Sequence, residues 1–179
     1  MSDYIHFILG EYSSFAAKLA IQRPKVNIVG SDGKIVERVT SDVPDHISII
    51  GELVSGASLS IHLRRGQAFQ GSPGFLWNIH GELGEIRVTA SSPAFTSLDA
   101  AINIEVHNFD KDDVEEVGWE WNDTSLPVTA RNVGGLYEQF SLGAKGHYPD
   151  FDEAVKRHQY IEALFKSSEE GKSVAYHHE

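Results

Sequence analysis

The sequence predicts an α+β fold: a large, mainly antiparallel, open-faced sheet with helices packed on one face. Three observations predict it. From Pro44 to Ala90 apolar and polar residues alternate over strand-length segments, the period of a strand with one buried face. Glycine-bearing links, Ser55-Gly56 and Gly81-Glu82-Leu83-Gly84, are short enough to turn those segments back as hairpins. The final third changes period and repeats its apolar residues at helical spacing. Four consecutive strands between Pro44 and Ala90 are therefore expected to form a meander at the centre of the sheet.

Each flanking element has its own local reason. Tyr4, Ile5, Phe7, Ile8 and Leu9 read as the end of a short, cut-off lead-in helix over 2–10, stopped by Gly10. Phe15, Ala17, Leu19 and Ile21 alternate as a strand, and Pro24 marks a bend. Val26–Val29 and Ile35–Thr40 pair as a hairpin around Ser31-Asp32-Gly33-Lys34, where glycine eases positive φ. Beyond Ser91-Ser92-Pro93, strand character returns at Ile102, Ile104 and Val106. An acidic turn over 108–113 then leads to a second alternating run at Val117, Trp119 and Trp121. Val133, Leu136, Tyr137 and Phe140 form a helical stripe ended by Gly143. Asp150, Asp152 and Glu153 open a last helix, where acids suit the positive end of the dipole. Its expected apolar stripe is Ala154, Val155, His158, Ile161, Leu164 and Phe165, running to Ser168. The whole is read as one domain over 1–179: lead-in helix, sheet over about 15–121, helical cover over about 131–168 and a polar tail over 169–179, whose closing His177-His178-Glu179 reads as unstructured rather than as a ligand site.

Composition excludes several functions. With 41% hydrophobic and 23% charged residues in 179, the chain has the balance of a globular domain. No apolar run approaches the roughly 20 residues a bilayer span needs, and no signal peptide is recognisable, so a cytoplasmic location is expected. The absence of cysteine excludes disulfides, thiolate metal sites and cysteine nucleophiles. A net charge of −11 argues against nucleic acid as a partner. Seven acids against one lysine between Asp110 and Asp123 read as a solvated hairpin or an acidic docking surface.

The period of two assigns side chains to faces. Ile47, Ile49, Leu53, Leu59, Ile61, Leu63, Ile86 and Val88 are expected on the face that the helices cover. His46, Ser48, Ser58, Ser60, His62 and Arg64 fall on the other, with either Asn78 and His80 or Trp77 and Ile79, and with His107 in reach. The candidate ligand-binding residues are thus His46, Ser60, His62, Arg64, Trp77, Asn78 and His80, a mixture of polar anchors and apolar area suited to a ligand or a subunit. No metal site is expected, because these histidines lack the short-range ligand spacing of metal motifs. Gly71-Ser72-Pro73-Gly74 lacks the context of a phosphate loop, and neither a nucleophile elbow nor a dinucleotide fingerprint is present. No catalytic residue stands out.

Several segments carry a family resemblance. Pro44-Asp45-His46, the glycine-led strand that follows, and Ile79-His80-Gly81-Glu82-Leu83-Gly84-Glu85-Ile86-Arg87-Val88 resemble the C-terminal domain of the glucose–fructose oxidoreductase/inositol dehydrogenase family. Within it, the likeness is to the branch that contains the fungal galactose-gene repressor. Tyr148-Pro149-Asp150-Phe151-Asp152-Glu153-Ala154-Val155, then His158 and Ile161 to Ser168, are similar to that branch's terminal helix, and Asp3 to Gly10 to the helix leading into the domain. The resemblance implies an N-terminal Rossmann domain, NAD(P) and a catalytic lysine in full-length members. None of these has a counterpart in this sequence, and Asp3 is the one match near that chemistry. It also implies that this domain forms a substrate-side wall and, through its open sheet, the subunit interface.

The expected function is accordingly a cofactor-less domain for small-molecule binding and self-association, a homodimer through the open face. One alternative is a free-standing isomerase, cyclase or lyase using His46, His62 or His80 for acid–base work. Another is a regulatory protein-binding domain.

Overall fold

The computed structural model describes residues 3–92, 102–121 and 125–176; Pro93 and the closing His177-His178-Glu179 lie outside them. In chain order the elements are α1 (Asp3–Leu9), β1 (Tyr12–Ala20), β2 (Lys25–Val29), β3 (Ile35–Thr40), β4 (His46–Leu53), β5 (Ser58–Arg64), β6 (Phe75–His80) and β7 (Gly84–Ala90). There follow β8 (Ile102–Asn108), β9 (Asp113–Glu116), α2 (Val128–Ser141), a 3₁₀ turn (Gly143–Lys145), α3 (Phe151–Glu170) and β10 (Val174–Ala175). The class is α+β, with antiparallel pairing throughout. Contacts gather the chain into two compact units, Met1–Gly66 with Pro149–Glu179, and Gln67–Tyr148.

The strands divide into three sheets, ordered β10-β1-β4-β5, β2-β3 and β6-β7-β8-β9. The expected hairpins β4–β5 and β6–β7 both form, but the four do not make one meander, because β5 and β6 belong to different sheets. The link from Arg65 to Gly74 holds three glycines and a proline, and no tight turn carries a register across it. Ile86 and Val88 therefore do not share a sheet with Ile47 and Ile49.

In the first unit the register places Phe15 opposite Gly51, Ala17 opposite Ile49 and Leu19 opposite Ile47; Leu59, Ile61 and Leu63 continue the same face on β5. Phe15, Ile49, Leu53 and Leu59 are buried there, as the alternation predicts. Gly51 is required by this packing: a Cβ would sit 2.6 Å from that of Phe15, and the backbone behind it cannot yield.

Helix α3 covers this face. Asp150 caps its start, accepting from the Glu153 N–H at 3.0 Å, and Gly171 ends it in the left-handed region at φ 64°, as C′ glycines do. The buried residues are Tyr160, Leu164 and Ser167, not the expected stripe, of which only Leu164 points inward. Val155, Ile161 and Phe165 remain exposed. The physical reason lies on β1. Its outer edge pairs with β10 only at Ser14 and Phe15, so further along the strand the edge N–H groups need other acceptors. Ser167 Oγ accepts from Ala17 N–H at 2.9 Å and Ser168 Oγ from Leu19 N–H at 2.9 Å, which sets the rotation of the helix.

The polar stretch after Ser168 is ordered as far as Tyr176. After the turn at Gly171, Ser167 Oγ donates to Lys172 O at 2.6 Å, β10 pairs with β1, and Tyr176 is buried. Tyr176 closes an aromatic cluster with Tyr12, Phe15 and Tyr160, ring centroids 5.3–6.0 Å apart. Such edge and stacked pairs add to the area they bury. Burial pushes the Tyr176 hydroxyl up to about 12.

In the second unit β6 to β9 form a sheet with one apolar and one polar face. Trp77, Ile79, Val88, Ile104 and Val106 share the first; Asn78, His80, Glu85, Arg87, Glu105 and His107 share the second. Two expectations fail here. The strand after the acidic turn is Asp113–Glu116, and Val117 to Trp121 is irregular; Trp119 instead donates its indole N–H to Ile102 O at 3.1 Å. Helix α2 forms where predicted but buries no residue, leaving Val133, Leu136, Tyr137 and Phe140 exposed. Helical spacing marks an apolar stripe without saying what meets it.

Ser167→Ala leaves the Ala17 N–H at the strand edge without its acceptor. The expected loss is about 1–3 kcal/mol, the cost of an unpaired buried donor, read as a lower urea midpoint at unchanged slope; an unaltered midpoint would show that α3 does not seal this edge.

Candidate functional site

The face of β1, β4 and β5 opposite α3 is built by the same register that builds the core. Successive cross-strand rows are Ala20-His46-Arg64, Lys18-Ser48-His62, Ala16-Ile50-Ser60 and Ser14-Glu52-Ser58. Four of the expected residues, His46, Ser60, His62 and Arg64, thus share one surface. The His46 and His62 rings meet edge to face with centroids 4.8 Å apart. Ser48 Oγ and His62 Nδ1 share a hydrogen bond of 3.1 Å, which orients the imidazole and leaves its Nε2 facing away from that bond. Ile50 lies at the centre of this surface and is 66% exposed.

Asp45 pins the end of the surface that bears Ala20, His46 and Arg64. Its carboxylate accepts from Gln22 N–H and Arg23 N–H, both at 2.7 Å. Its backbone bonds to Ala20 O at 3.0 Å and accepts from Arg65 N–H at 2.7 Å, while the Arg23 guanidinium donates to Arg65 O at 2.8 Å. One residue therefore ties three strand ends together. The Gln22 N–H holds the Asp45 carboxyl below the usual carboxylate range, helped by the Arg23 N–H and charge and opposed by desolvation.

The other three expected residues lie in the second unit. Asn78 and His80 are on its polar face, whereas Trp77, next to Asn78 in sequence, points to the apolar one. Adjacent strand residues cannot share a face, so Trp77 does not act with Asn78 and His80. His80 opposes Glu85 with Nδ1 to Oε1 at 3.5 Å. Glu85 in turn opposes His107, whose Nε2 lies 3.1 Å from Asp112 Oδ1. Beside this row is a hollow lined by Glu85, Arg87, Glu105, His107 and Val114. Among the described residues, no three His, Asp or Glu side chains are grouped to hold a metal, and no helix is long and apolar enough to cross a membrane.

Sequence reasoning did not single out Lys18 or Glu85. Lys18 was readable as the residue between Ala17 and Leu19, hence on the opposite face, but its neighbours there come from the non-local β1–β4 register. Glu85 was within reach: the Gly81–Gly84 link places it opposite His80.

The first unit is thus an antiparallel sheet covered on one side by a helix, with a largely polar opposite side. A family model described as the C-terminal domain of Gal80p matches residues 1–90, half of the chain, and the chain belongs to that family. It is 24% identical over 178 residues to the dehydrogenase aclE of Aspergillus oryzae, covering 99% of this chain and 46% of that protein. A super-repressor mutant of Gal80p from Saccharomyces cerevisiae superposes with a TM-score of 0.78 at 16% identity, covering 99% of this chain and 49% of its own. Levoglucosan dehydrogenase superposes at 0.71 with 17% identity, covering 99% and 49%, and is also known in complex with NADH and L-sorbose. At such identities the structural likeness speaks for the fold. The chain spans about half the length of these relatives.

Asp45→Asn tests the anchor. A carboxyl with a depressed folded pKa contributes stability above its unfolded pKa and loses it as pH falls through the folded value. The variant is expected to be less stable than the parent at pH 7, with the gap closing below about pH 4. Urea midpoints at both pH values measure this; a gap independent of pH would remove the charge from the account.

Proposed function

We propose that the chain acts as the C-terminal domain of an oxidoreductase-type protein, providing a small-molecule wall and a self-association surface without redox chemistry of its own. The observation that carries this reading is the two-sided sheet of the first unit. α3 seals one side, while the other presents Ile50, two imidazoles and short hydroxyl side chains with nothing from α3 above them. Apolar area set among polar anchors is the composition of interface cores, and a two-fold axis lets one surface complement itself. NAD(P) belongs to the full-length relatives in this reading, because the groups that would cradle it have no counterpart among the described residues.

A second reading is favoured by family membership. The Gal80p of Kluyveromyces lactis is a transcriptional regulator, and a domain of this family can serve a regulatory protein as a binding module. The same surface would then receive another protein. The enzymatic alternative finds less support, since the hollow in the second unit includes none of His46, His62 or His80.

Sedimentation velocity is expected to show a concentration-dependent dimer. Ile50→Lys should weaken it by about tenfold or more, since a charge at the centre of such a surface must be desolvated. Monomer alone at high micromolar concentration would sink the reading. In thermal melts, NAD(P) is expected to leave the transition unchanged, because a ligand raises it only by binding the native state; a clear rise would assign cofactor binding to this chain.

A further inference from the structure

The first unit encloses a polar cluster where α1, the link after it, β1 and α3 meet. His6, on α1, is buried, and its Nδ1 lies 3.1 Å from Glu11 Oε2. The other oxygen of that carboxylate takes the Arg157 guanidinium from α3. Glu11 therefore joins two helices, and its charge is matched inside the fold. Against it stand the rings of Tyr12 and Tyr160, with centroids 5.8 and 4.8 Å from that of His6 and 6.0 Å from each other. Tyr12 is 0% and Tyr160 2% exposed. Among the described residues, no group hydrogen-bonds to Tyr12 Oη, Tyr160 Oη or Arg157 Nη1, although all three atoms are buried. The neighbouring Tyr176 Oη, by contrast, donates to Lys156 O at 3.0 Å.

Burial is the main reason the Tyr160 hydroxyl lies above the ordinary tyrosine range; Tyr12, Tyr176 and Glu11 add to the rise and Arg157 opposes it. The phenols thus stay protonated at neutral pH, within electrostatic reach of one another and of the ion pair. Folded proteins rarely leave buried donors open, and an internal water making about three hydrogen bonds is the usual way such groups are satisfied. We propose that Tyr12, Tyr160 and Arg157 hold a shared internal water against Glu11, a bound-solvent site that fastens α1 and the start of β1 to α3. The chemistry of the donors and acceptors selects the occupant. It must accept from a guanidinium and also donate to a carboxylate, whose oxygens keep lone pairs beyond those given to His6 and Arg157. Water does both. An anion can only accept and would meet Glu11, while a cation would meet Arg157. Each phenol can give or take a hydrogen bond, so one molecule serves both rings.

Whole-chain variants Tyr12→Phe, Tyr160→Phe and the double variant test this in urea melts. With a shared water, each single change is expected to lower the folding equilibrium constant about threefold to tenfold, and the double to cost little more than either alone. Unpaired hydroxyls behave in the opposite way: removing one leaves the constant unchanged or raises it, which overturns the site. Losses that multiply in the double variant overturn the shared occupant. The parent chain gives a direct reading that needs no variant to fold. In NMR its Tyr12 and Tyr160 hydroxyl protons, protected by burial, are expected to show cross-relaxation with a long-lived water; the absence of that contact at either hydroxyl overturns the proposal. Chloride and sulfate at equal ionic strength are expected to give the same melting midpoint. A rise specific to chloride assigns the site to an anion and overturns water as its occupant.

Discussion

The hydroxyl of Ser167 holds the first unit together at the point where its sheet would otherwise end in open hydrogen-bonding groups. Strand β1 has β4 on one side and only the short β10 on the other. Where β10 stops, Ser167 and Ser168 take the Ala17 and Leu19 N–H groups, and Ser167 returns its own proton to Lys172 O. A strand edge in water is a template for unwanted pairing; here the end of one helix and the turn after it close that edge. The rotation this imposes on α3 turns Tyr160 and Leu164 into the core. The aromatic cluster with Tyr12, Phe15 and Tyr176 can form only with that rotation in place.

Closing one side defines the other. Because strand residues alternate, the same register that buries Phe15, Ile49 and Leu59 presents Lys18, Ser48, Ile50 and His62 on the opposite face. The core and the candidate interface are therefore not independent designs, and a slip of one residue between β1 and β4 would destroy both. Asp45 guards against such a slip at the strand ends, where it binds the backbone leaving β1 and the backbone leaving β5.

The solved structures of similar fold include a transcriptional regulator and a levoglucosan dehydrogenase seen with NADH. A scaffold shared by both carries no reaction by itself. What can be argued for this chain comes from its own groups: a histidine-bearing open face and an enclosed polar cluster, both in the first unit.

Local physics determined much of this from the sequence. The alternation in β4 and β5 identified the buried face, because a strand's period is fixed by its backbone; Gly10, Gly33 and Gly143 marked turns and caps through the conformations they tolerate; and Asp150 announced a helix start. The resemblance carried by residues 44–46 and 79–88 pointed to the family. Tertiary structure decided the rest. The side of α3 that faces inward was set by unpaired N–H groups on a strand some 150 residues away in sequence, a demand that no helical periodicity contains. The tail became β10 because β1 had an edge to fill. Lys18 joined His46, His62 and Arg64, and Trp77 parted from Asn78 and His80, because cross-strand register is a long-range property and neighbours on a strand must face opposite ways.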